Sequence, residues 1–595
     1  MDIDKRMIPS FDNMLRPTMQ ALQELNGRAS IEDLNQKALQ IMNIPVGAEA
    51  IPHTDVGSDH RTEAEYRLAW ARTYLKQFGL LSNPTRGVWQ FTDAYDGDIQ
   101  GIDPNLIVKT VRQRRIENFK EKDGNLYPLE KARAFERFVL SALKIYAHDI
   151  GKPFEATIAS HDPGFDAIMP LGIRETSRKT YVEIKLSLRV ERLNPQLKMI
   201  PADEQLLFVI CDTLSNETKQ ELNVTVQALC QCSVLIWDYN DLIAETGCEF
   251  EFTRYLDEPK KALVEDVLCN TLSQKEKGQI NSARIHQLQE QYQNENVTLF
   301  LGAGVSISAG LPLWSELIHQ MFISMVYRRL GGEEDLTNAE KAAISRLAEK
   351  NQESTPLTQV RYISSALDAD EFHSIMRKSL YGKEINIETD ELLNAIAALS
   401  KPVRNHKGLK SIVTYNFDDL LERKLSEKEI GYHIISHEKD IPTPDVLNIY
   451  HVHGYLPKEK EYAPTLCTTL VFSEEDYHEL YRDVYSWSNL TQLNAFRETT
   501  CLFVGCSLED PNLRRLLDVY RRSCDEPRHY AILKRKTLNG AEELQELFPD
   551  RLQKYRETDD NIRDHFFESI GVNVIWVDSY DKIPDVLKQI SGKRV

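Results

Sequence analysis

Short apolar runs, each followed by glycine or small polar residues, recur through the second half of the chain. The first run, Val297–Leu301, has the length of a buried parallel strand and leads into Gly302 and Gly304. Later runs of the same kind lead into Asn416, His453, Gly505 and Asp578. Because helical segments separate these runs, the pattern predicts a doubly wound, Rossmann-like parallel sheet. The polar residues that follow the strands are then expected at one edge of the sheet.

The turn after the first run is typical of a nucleotide site, although an ordinary β–α turn has a similar composition. Gly302 and Gly304 let the backbone turn tightly and approach a ligand without a Cβ in the way. Backbone N–H groups in such a turn bind a pyrophosphate, and Ser306 adds a hydroxyl beside them. Ile307 stands where G-x-G-x-x-G requires a third glycine, and a lone G-x-G is a weak signal.

The segment between the first two runs, Ser315 to about Leu399, has a long helical pattern. It predicts a helical insertion that caps the edge of the sheet.

The first hundred residues combine helical patterns with a hairpin signal. Ser30 is a candidate N-cap, Glu63–Phe78 carries apolar residues at helical spacing, and Gly79 ends that helix. Two short strands around a turn follow, up to Phe91. Three helices and such a hairpin predict a winged helix. Ile102 to about Lys122 is predicted to be an exposed linker or short helix, with a solvated basic cluster at 112–115.

A second α/β pattern runs from about Leu129 to Leu256 and concentrates acidic residues near one strand. Glu183 and Lys185 lie two apart in a predicted strand and therefore project from the same side. If Asp166 ends the neighbouring strand, two carboxylates and an ammonium converge. That arrangement can hold Mg²⁺ and activate a water against a phosphodiester. Glu-x-Lys alone is common by chance.

Composition limits the classes of function. The chain has 595 residues, 42% of them hydrophobic, which suits about three or four domains. Its net charge of −19 argues against a generally basic protein that coats nucleic acid. Nine cysteines without regular spacing, and no secretory pattern at the start, predict reduced thiols in the cytoplasm. We expect no membrane span and no ATPase site, because no sufficiently long apolar run and no Walker P-loop occurs.

The N-terminal sequence LAWARTYLKQFGLLSNPTRGVWQFTD resembles the N-terminal domain of Mrr-type restriction proteins, which docks on DNA. The resemblance implies DNA as a partner, while a helical assembly module is the alternative. The residues then expected near phosphates are Arg61, Arg67, Arg72 and Arg86.

Glu-x-Lys at 183–185, together with Gly-Phe-Asp166 and the upstream helix residue Glu136, resembles the core of PD-(D/E)xK nucleases of the Mrr kind. This resemblance implies a restriction-endonuclease-like domain with Glu136, Asp166, Glu183 and Lys185 as its site. Asp166 and Glu183 would be the Mg²⁺ ligands. The family's Pro-Asp is replaced by Phe-Asp here, and such domains also occur as DNA-binding or structural modules.

The C-terminal motifs GAGVS, GLPLW, T-x-N-x-D, H-G and V-G-C-S are similar to the nicotinamide-dinucleotide pocket of the sirtuin family. The structural zinc of deacetylating sirtuins needs two Cys-x-x-Cys pairs, and none occurs in this sequence, so no zinc is expected. The Asn-Phe-Asp and Ser-Leu-Glu-Asp-Pro-Asn segments look like the bacterial anti-phage branch. That branch hydrolyses NAD⁺ to ADP-ribose and nicotinamide.

This resemblance implies roles for individual residues. Asn416 would bind ribose hydroxyls or the attacking water, Asp418 would hold the nicotinamide end, and His453 would be the general base. His451 faces the same side of its strand but lies deeper than the ligand-binding edge, so its strand position predicts a supporting or core role. The dinucleotide contacts would be Gly302, Ala303, Gly304, Ser306, Gly505 and Ser507, with Asp578 a further candidate. Taken singly, Asn416, Asp418 and Ser507 are also ordinary helix-capping residues.

The predicted organisation is an α/β multidomain chain. Its boundaries are 1–100 for the winged helix, 101–128 for a linker, 129–258 for the nuclease-like domain, 259–296 for a helical connector, and 297–595 for the sirtuin-like domain. The leading hypothesis is an anti-phage NAD⁺ hydrolase that forms homo-oligomers and is coupled to DNA sensing or cleavage. The alternatives are a Mg²⁺-dependent restriction nuclease with a regulatory nucleotide site, or the effector subunit of a complex with a HerA-like ATPase.

Overall fold

The computed structural model describes most of the chain. The described residues are 7–44, 47–53, 61–121, 128–156, 165–174, 176–186, 197, 200–249, 252–269, 274–350, 356–383, 385–402, 408–459, 470–522, 526–536, 545 and 548–592. Of the predicted segments, part of the Gly-Phe-Asp stretch and the end of the 101–128 linker lie outside these ranges.

The N-terminal unit combines three helices with a small antiparallel sheet. Its elements are α1 (Leu15–Glu24), β1 (Arg28–Ser30), α2 (Ile31–Met42), α3 (Glu63–Phe78), β2 (Leu81–Thr85) and β3 (Val88–Phe91), with strand order β1-β3-β2. Ser30 caps α2 by accepting a hydrogen bond from the Asp33 N–H, as predicted. Gly79 ends α3 at a φ of 107°, a left-handed conformation that glycine adopts without a Cβ clash.

Residues 104–121 differ from the sequence prediction. They form one helix, α4 (Pro104–Glu121), in which Arg114 is exposed, whereas Arg112 and Arg115 are turned away from solvent. Arg115 is buried and lies 3.2 Å from Glu249 of the next unit, and Arg112 lies 2.6 Å from the same carboxylate. Tyr74 of α3 also donates to Glu249. The prediction was wrong because spacing alone did not reveal a buried acidic partner more than a hundred residues away.

The second unit is built on a mixed five-stranded sheet in the order β4-β5-β6-β7-β8. Strands β6, β7 and β8 are parallel, whereas β4 and β5 pair antiparallel. Helix α5 (Pro128–Asp149) packs against the sheet. The remaining elements are β4 (Glu155–Ala156), β5 (Ala167–Met169), β6 (Thr180–Lys185), β7 (Gln205–Ile210), α6 (Asn216–Gln227), β8 (Ser233–Trp237) and α7 (Tyr239–Thr246).

Helices connect this unit to the last one. They are α8 (Arg254–Asp257), α9 (Pro259–Cys269) and α10 (Gln274–Gln293). Arg284 of α10 is buried and bonds Asp564 at 2.9 Å and the carbonyl of Val574 at 2.6 Å. The connector therefore packs on the C-terminal unit.

The C-terminal unit contains a seven-stranded, wholly parallel sheet, as the apolar runs predicted. Its strands are β9 (Val297–Leu301), β10 (Ser411–Thr414), β11 (Tyr432–Ile435), β12 (Leu447–His451), β13 (Thr500–Val504), β14 (His529–Lys534) and β15 (Val572–Val577). The strand order is β11-β12-β10-β9-β13-β14-β15. The chain leaves β9 in one direction and later returns to pair β13 on its other side. In open α/β sheets, ligands bind where the strand order reverses in this way.

Helices cover both faces of this sheet. They are α11 (Gly304–Ser308), α12 (Trp314–Arg329), α13 (Asn338–Lys350), α14 (Pro356–Ser365), α15 (Ala369–Tyr381), α16 (Glu391–Ser400), α17 (Leu420–Glu427), α18 (Glu474–Arg482), α19 (Trp487–Glu498), α20 (Pro511–Arg521), α21 (Pro549–Ser569) and α22 (Ile583–Ile590). Helices α12 to α16 form the predicted helical insertion between β9 and β10. Trp314 of the insertion packs edge-on against Phe472, 4.4 Å between ring centroids.

Ion pairs join the second and last units. Arg133 of α5 pairs with Glu568 of α21, and Lys185 at the end of β6 pairs with Glu526 ahead of β14. Across the described ranges, no helix combines the length and apolar composition needed to span a bilayer.

Candidate functional site at the edge of the seven-stranded sheet

Three glycines meet where the strand order of the large sheet reverses. A Cβ on Gly302 would lie 2.6 Å from the carbonyl oxygen of Gly505, and one on Gly304 would lie 2.8 Å from the Gly505 Cα. Gly505 itself has a φ of +68° and sits against the Val305 nitrogen. All three positions therefore need glycine, because the loops after β9 and β13 touch backbone to backbone.

The amides of this turn are already engaged. The Gly302 N–H donates to the Val504 carbonyl at 3.1 Å, and the Gly304 N–H donates to the Gly505 carbonyl at 3.0 Å. A pyrophosphate cradle made from these two N–H groups is therefore not what the backbone presents. Ala303, between them, is exposed at the strand edge, and Ser507 is exposed in the facing loop.

Asn416, Ser306 and Asp418 form one hydrogen-bonded chain beside the glycine contact. The Asn416 Nδ2 donates to the Gly302 carbonyl at 3.1 Å and to the Ser306 Oγ at 2.9 Å. The Ser306 hydroxyl in turn donates to the Asp418 Oδ2 at 2.7 Å. Because a carbonyl only accepts, this chain fixes the amide orientation and leaves the Asn416 Oδ1 without a donor among the described residues.

Asp418 is more deeply placed than a direct ligand contact suggests. Its exposed fraction is 7%, and its Oδ1 accepts from the Leu420 N–H at the start of α17. Burial raises the pKa of the carboxyl to about 6, against the opposing effect of the hydrogen bond from Ser306. No ion pair to a basic side chain is found for it within the described ranges. The carboxylate is thus held by neutral donors alone.

His453 lies two residues beyond the end of β12 and is 5% exposed. Burial lowers the pKa of its imidazole, and the charge of Asp510 opposes that shift. The ring is held edge-on between Tyr415, 4.9 Å between centroids, and Tyr477, 5.9 Å away. Its Nε2 is buried and has no hydrogen-bond partner among the described residues. A neutral imidazole with a free nitrogen is the form that accepts a proton.

The two tyrosines beside His453 are themselves anchored. The Tyr477 hydroxyl donates to the Asp510 Oδ2 at 2.6 Å, and the other oxygen of Asp510 caps α20. The Tyr415 hydroxyl donates to the Gln492 Oε1 at 2.7 Å. The position of the His453 ring therefore depends on two tyrosines, each anchored by a residue from a different helix.

His451 is a core residue, as the sequence predicted, but it is not apolar support. It is 1% exposed, and its Nε2 lies 2.9 Å from the Glu422 Oε1. Its Nδ1 lies 3.1 Å from the carbonyl oxygen of Asn416. Asp578, by contrast, ends β15 in solvent with 92% of its side chain exposed.

The smaller sheet carries a second acidic cluster. The Asp166 Oδ2 accepts from the Ile184 N–H at 2.5 Å, and the Lys185 Nζ lies 2.9 Å from the Glu183 Oε1. Burial raises the pKa of Asp166 well above its usual value, and the charges of Glu183 and Glu136 add to the shift. The structure thus brings Glu136, Asp166, Glu183 and Lys185 into one electrostatic neighbourhood.

This second cluster differs from a finished metal site. Among the described residues, no three acidic, histidine or cysteine side chains lie close enough to enclose an ion. The Glu183 Oε2 is buried without a partner in that part of the chain. Carboxylate oxygens are the donor type that Mg²⁺ prefers, so the chemistry of the donor set fits the ion.

Sequence reasoning missed several residues of the larger site. Glu422, Tyr415, Tyr477 and Gln492 had no predicted role, although three of them lie in or beside the motifs that suggested the site. Asp510 had a detectable signal, because Asp followed by Pro is a typical helix start. The signal for Glu422 was weaker: a charged residue on the apolar face of a short helix.

Comparison with known proteins supports two of the predicted regions. Residues 410–559 match the SIR2-like domain, and residues 11–95 match the Mrr N-terminal domain. The SIR2-like match begins after the glycine turn and includes Asn416, His453 and Gly505.

Two curated relatives carry the same name. The chain is 25% identical over 317 residues to the NAD(+) hydrolase ThsA of Enterococcus faecium, covering 52% of this chain and 58% of that protein. It is 23% identical over 311 residues to the NAD(+) hydrolase ThsA of Bacillus cereus strain MSX-D12, covering 50% and 54%. The chain therefore spans little more than half the length of these relatives.

Proposed function

We propose that the C-terminal unit hydrolyses NAD⁺ to ADP-ribose and nicotinamide. The observation that carries the proposal is the buried, unpartnered nitrogen of His453 at the same sheet edge as the fixed amide of Asn416. The names of the ThsA relatives and the SIR2-like match support the substrate and the reaction.

Cleavage of the nicotinamide–ribose bond develops positive charge at the anomeric carbon. Asn416 offers its Oδ1 to a ribose hydroxyl or to the attacking water, since its Nδ2 is used by Gly302 and Ser306. His453, neutral near pH 7, accepts a proton from the attacking water. Asp418, held without a basic partner in the described ranges, contributes negative charge through Ser306 to a site where positive charge develops.

The dinucleotide would lie across the glycine contact. Gly302, Gly304 and Gly505 keep the two loops free of side chains, and the exposed Ala303 and Ser507 are the groups left to meet the phosphates and the adenosine. The glycines thus contribute by close approach, and the N–H groups of Gly302 and Gly304 remain bonded to protein carbonyls.

Nicotinamide release from NAD⁺, followed by chromatography on the purified protein with and without phage DNA, tests the proposal. Asn416→Ala and His453→Ala are each expected to lower the rate at least about 100-fold. His286→Ala, which alters a half-exposed histidine on α10, is the matched control and should match wild type. Release that survives both site substitutions would refute the proposal, as would no release from wild type under any of these conditions.

A second activity, Mg²⁺-dependent cleavage of DNA, is favoured by the cluster on the five-stranded sheet. The strand order and the αβββ start of this unit suit a restriction-endonuclease-like fold, and the Mrr N-terminal match suits a winged helix that docks on DNA. Asp166 and Glu183 would hold Mg²⁺, which supplies Lewis acidity to the attacked phosphodiester. Lys185 lies beside Glu183 to balance charge.

The setting that we propose is anti-phage defence in the cytoplasm, with NAD⁺ depletion triggered through the DNA-binding unit. Homo-oligomer formation through the helical insertion, and association with a HerA-like ATPase, belong to the same proposal. Purification that recovers one defined assembly would support them.

A further inference from the structure

We propose that the buried pair Glu422–His451 is a positioning device that holds the main chain of Asn416 and so aims its Oδ1. This inference rests on the proposed hydrolase function, because it assigns the pair a role in that reaction. The two residues are 2% and 1% exposed, and they come from α17 and the end of β12.

Counting donors and acceptors fixes one proton of the pair. The Nδ1 of His451 faces the carbonyl oxygen of Asn416, which only accepts, so Nδ1 carries a hydrogen. The Nε2 faces the Glu422 Oε1 at 2.9 Å, and one proton lies between them. Whether that proton resides on the carboxyl or on the ring, the Nδ1–H donation to Asn416 is unchanged. Glu422 therefore acts by holding the ring through Nε2, while the Asn416 carbonyl sets the hydrogen on Nδ1.

Apart from its Oδ1, every polar atom of Asn416 makes a hydrogen bond. Its N–H donates to the Thr414 Oγ1 at 3.1 Å, and its Nδ2 makes the two hydrogen bonds to Gly302 and Ser306. With the carbonyl held by His451, the Oδ1 is the atom left over among the described residues. Without the hydrogen bond to its carbonyl, the peptide group of Asn416 could rotate and shift the Oδ1 from its position.

Two substitutions at His451 separate positioning from packing. In H451N the amide nitrogen occupies the place of Nδ1 and can donate to Asn416, while contact with Glu422 is lost. In H451Q the amide reaches the place of Nε2 and meets Glu422, while contact with Asn416 is lost. Both variants replace the imidazole ring with a smaller amide side chain. If His451 only filled space in the core, the two variants would therefore lose similar amounts of stability and activity.

We expect H451Q to lower kcat for nicotinamide release roughly 100-fold with KM changed less than about 3-fold, since small misplacement of a reacting group has that effect. H451N should keep kcat within about 5-fold of wild type. Equal losses in kcat for the two variants, in proportion to their melting temperatures, would overturn the inference.

A second readout needs no turnover. Amide hydrogen exchange over residues 414–422 should accelerate in H451Q and stay near wild type in H451N. If wild type releases no nicotinamide, the proposed function fails on its own, and the exchange comparison still decides whether His451 holds this segment. If neither His451 variant folds, Glu422 provides the test. E422Q, whose amide can donate to Nε2, should keep its activity and a wild-type rate of amide exchange. E422M should lose activity and exchange its amides faster. Equal behaviour of E422Q and E422M would overturn the inference.

Discussion

The two larger sheets both place acidic groups beside a strand end, but they balance the charge in opposite ways. At the seven-stranded sheet, Asp418 is held by the hydroxyl of Ser306 and the amide of Leu420. At the five-stranded sheet, Glu183 faces the ammonium of Lys185, which also pairs with Glu526 of the other unit. A carboxylate stabilised by neutral donors keeps its field for a developing cation, whereas one that faces an ammonium is already balanced.

The two sheet edges therefore differ in whether residues of another unit contribute to their charge balance. The larger edge is built by backbone contact and hydrogen bonds and is complete within its own unit. The smaller edge is bridged by a residue from outside, so its charge balance depends on how the two units meet. Substitutions at each edge test this difference.

The glycine contact should tolerate no side chain. Gly505→Ala is expected to destabilise the protein by about 3 kcal/mol or more, because a Cβ would meet the Val305 nitrogen at 2.7 Å at a positive φ. Gly79→Ala, also at a positive φ but with open space around it, should cost only about 1 kcal/mol. Denaturant unfolding measures both values. Similar costs would mean that backbone contact does not hold the larger edge together.

Replacing the charge of Asp418 should stabilise the protein in a pH-dependent way. The pKa is raised by burial from 3.8 to about 6, so the fold disfavours the carboxylate fully above pH 6, and the penalty disappears as pH falls towards 3.8. The stability of Asp418→Asn relative to wild type should therefore be about 2 kcal/mol more favourable at pH 8 than at pH 4.5. Thermal unfolding at both pH values tests this, with the exposed Asp578→Asn as control. A gain independent of pH would show that the charge is not the cause.

The contact between the units should matter least for stability and most for the second activity. Glu526 is 64% exposed, so Glu526→Gln should change the free energy of unfolding by less than about 1 kcal/mol. If the cluster is a nuclease site, the same substitution leaves Lys185 paired with Glu183 alone and should raise Mg²⁺-dependent DNA cleavage. Lys185→Ala should abolish cleavage and leave nicotinamide release intact. Cleavage indifferent to both substitutions would remove the nuclease proposal.

The sequence predicted the larger sheet well because each strand was a compact apolar run with an abrupt polar end. The same regularity placed Asn416, His453 and the glycines at one edge. Sequence could not show that the N–H groups of Gly302 and Gly304 donate to carbonyls at the end of β13 and in the loop that follows. Those hydrogen bonds depend on the pairing of β9 with β13, which lies about 200 residues later in the chain.

Long-range charge pairing was equally invisible. The spacing of Arg112 and Arg115 fits a solvated helix face, and only a carboxylate from another unit makes their burial favourable. Glu422 and Glu526 escaped notice for the same reason, since each acquires its role from a residue brought near by the fold. Periodicity reports which face is buried, but it does not report which charges meet there.

The Glu249 contact has a consequence for how the chain is made. Arg115 and Glu249 are 134 residues apart, and synthesis at 5–20 residues per second separates their emergence by on the order of ten seconds. During that interval α4 can pack Ile107 and Val111 into the N-terminal core, while Arg112 and Arg115 still lack their carboxylate partner. The N-terminal unit therefore leaves the ribosome before the end of the five-stranded-sheet unit, and Glu249 completes the joint between the two.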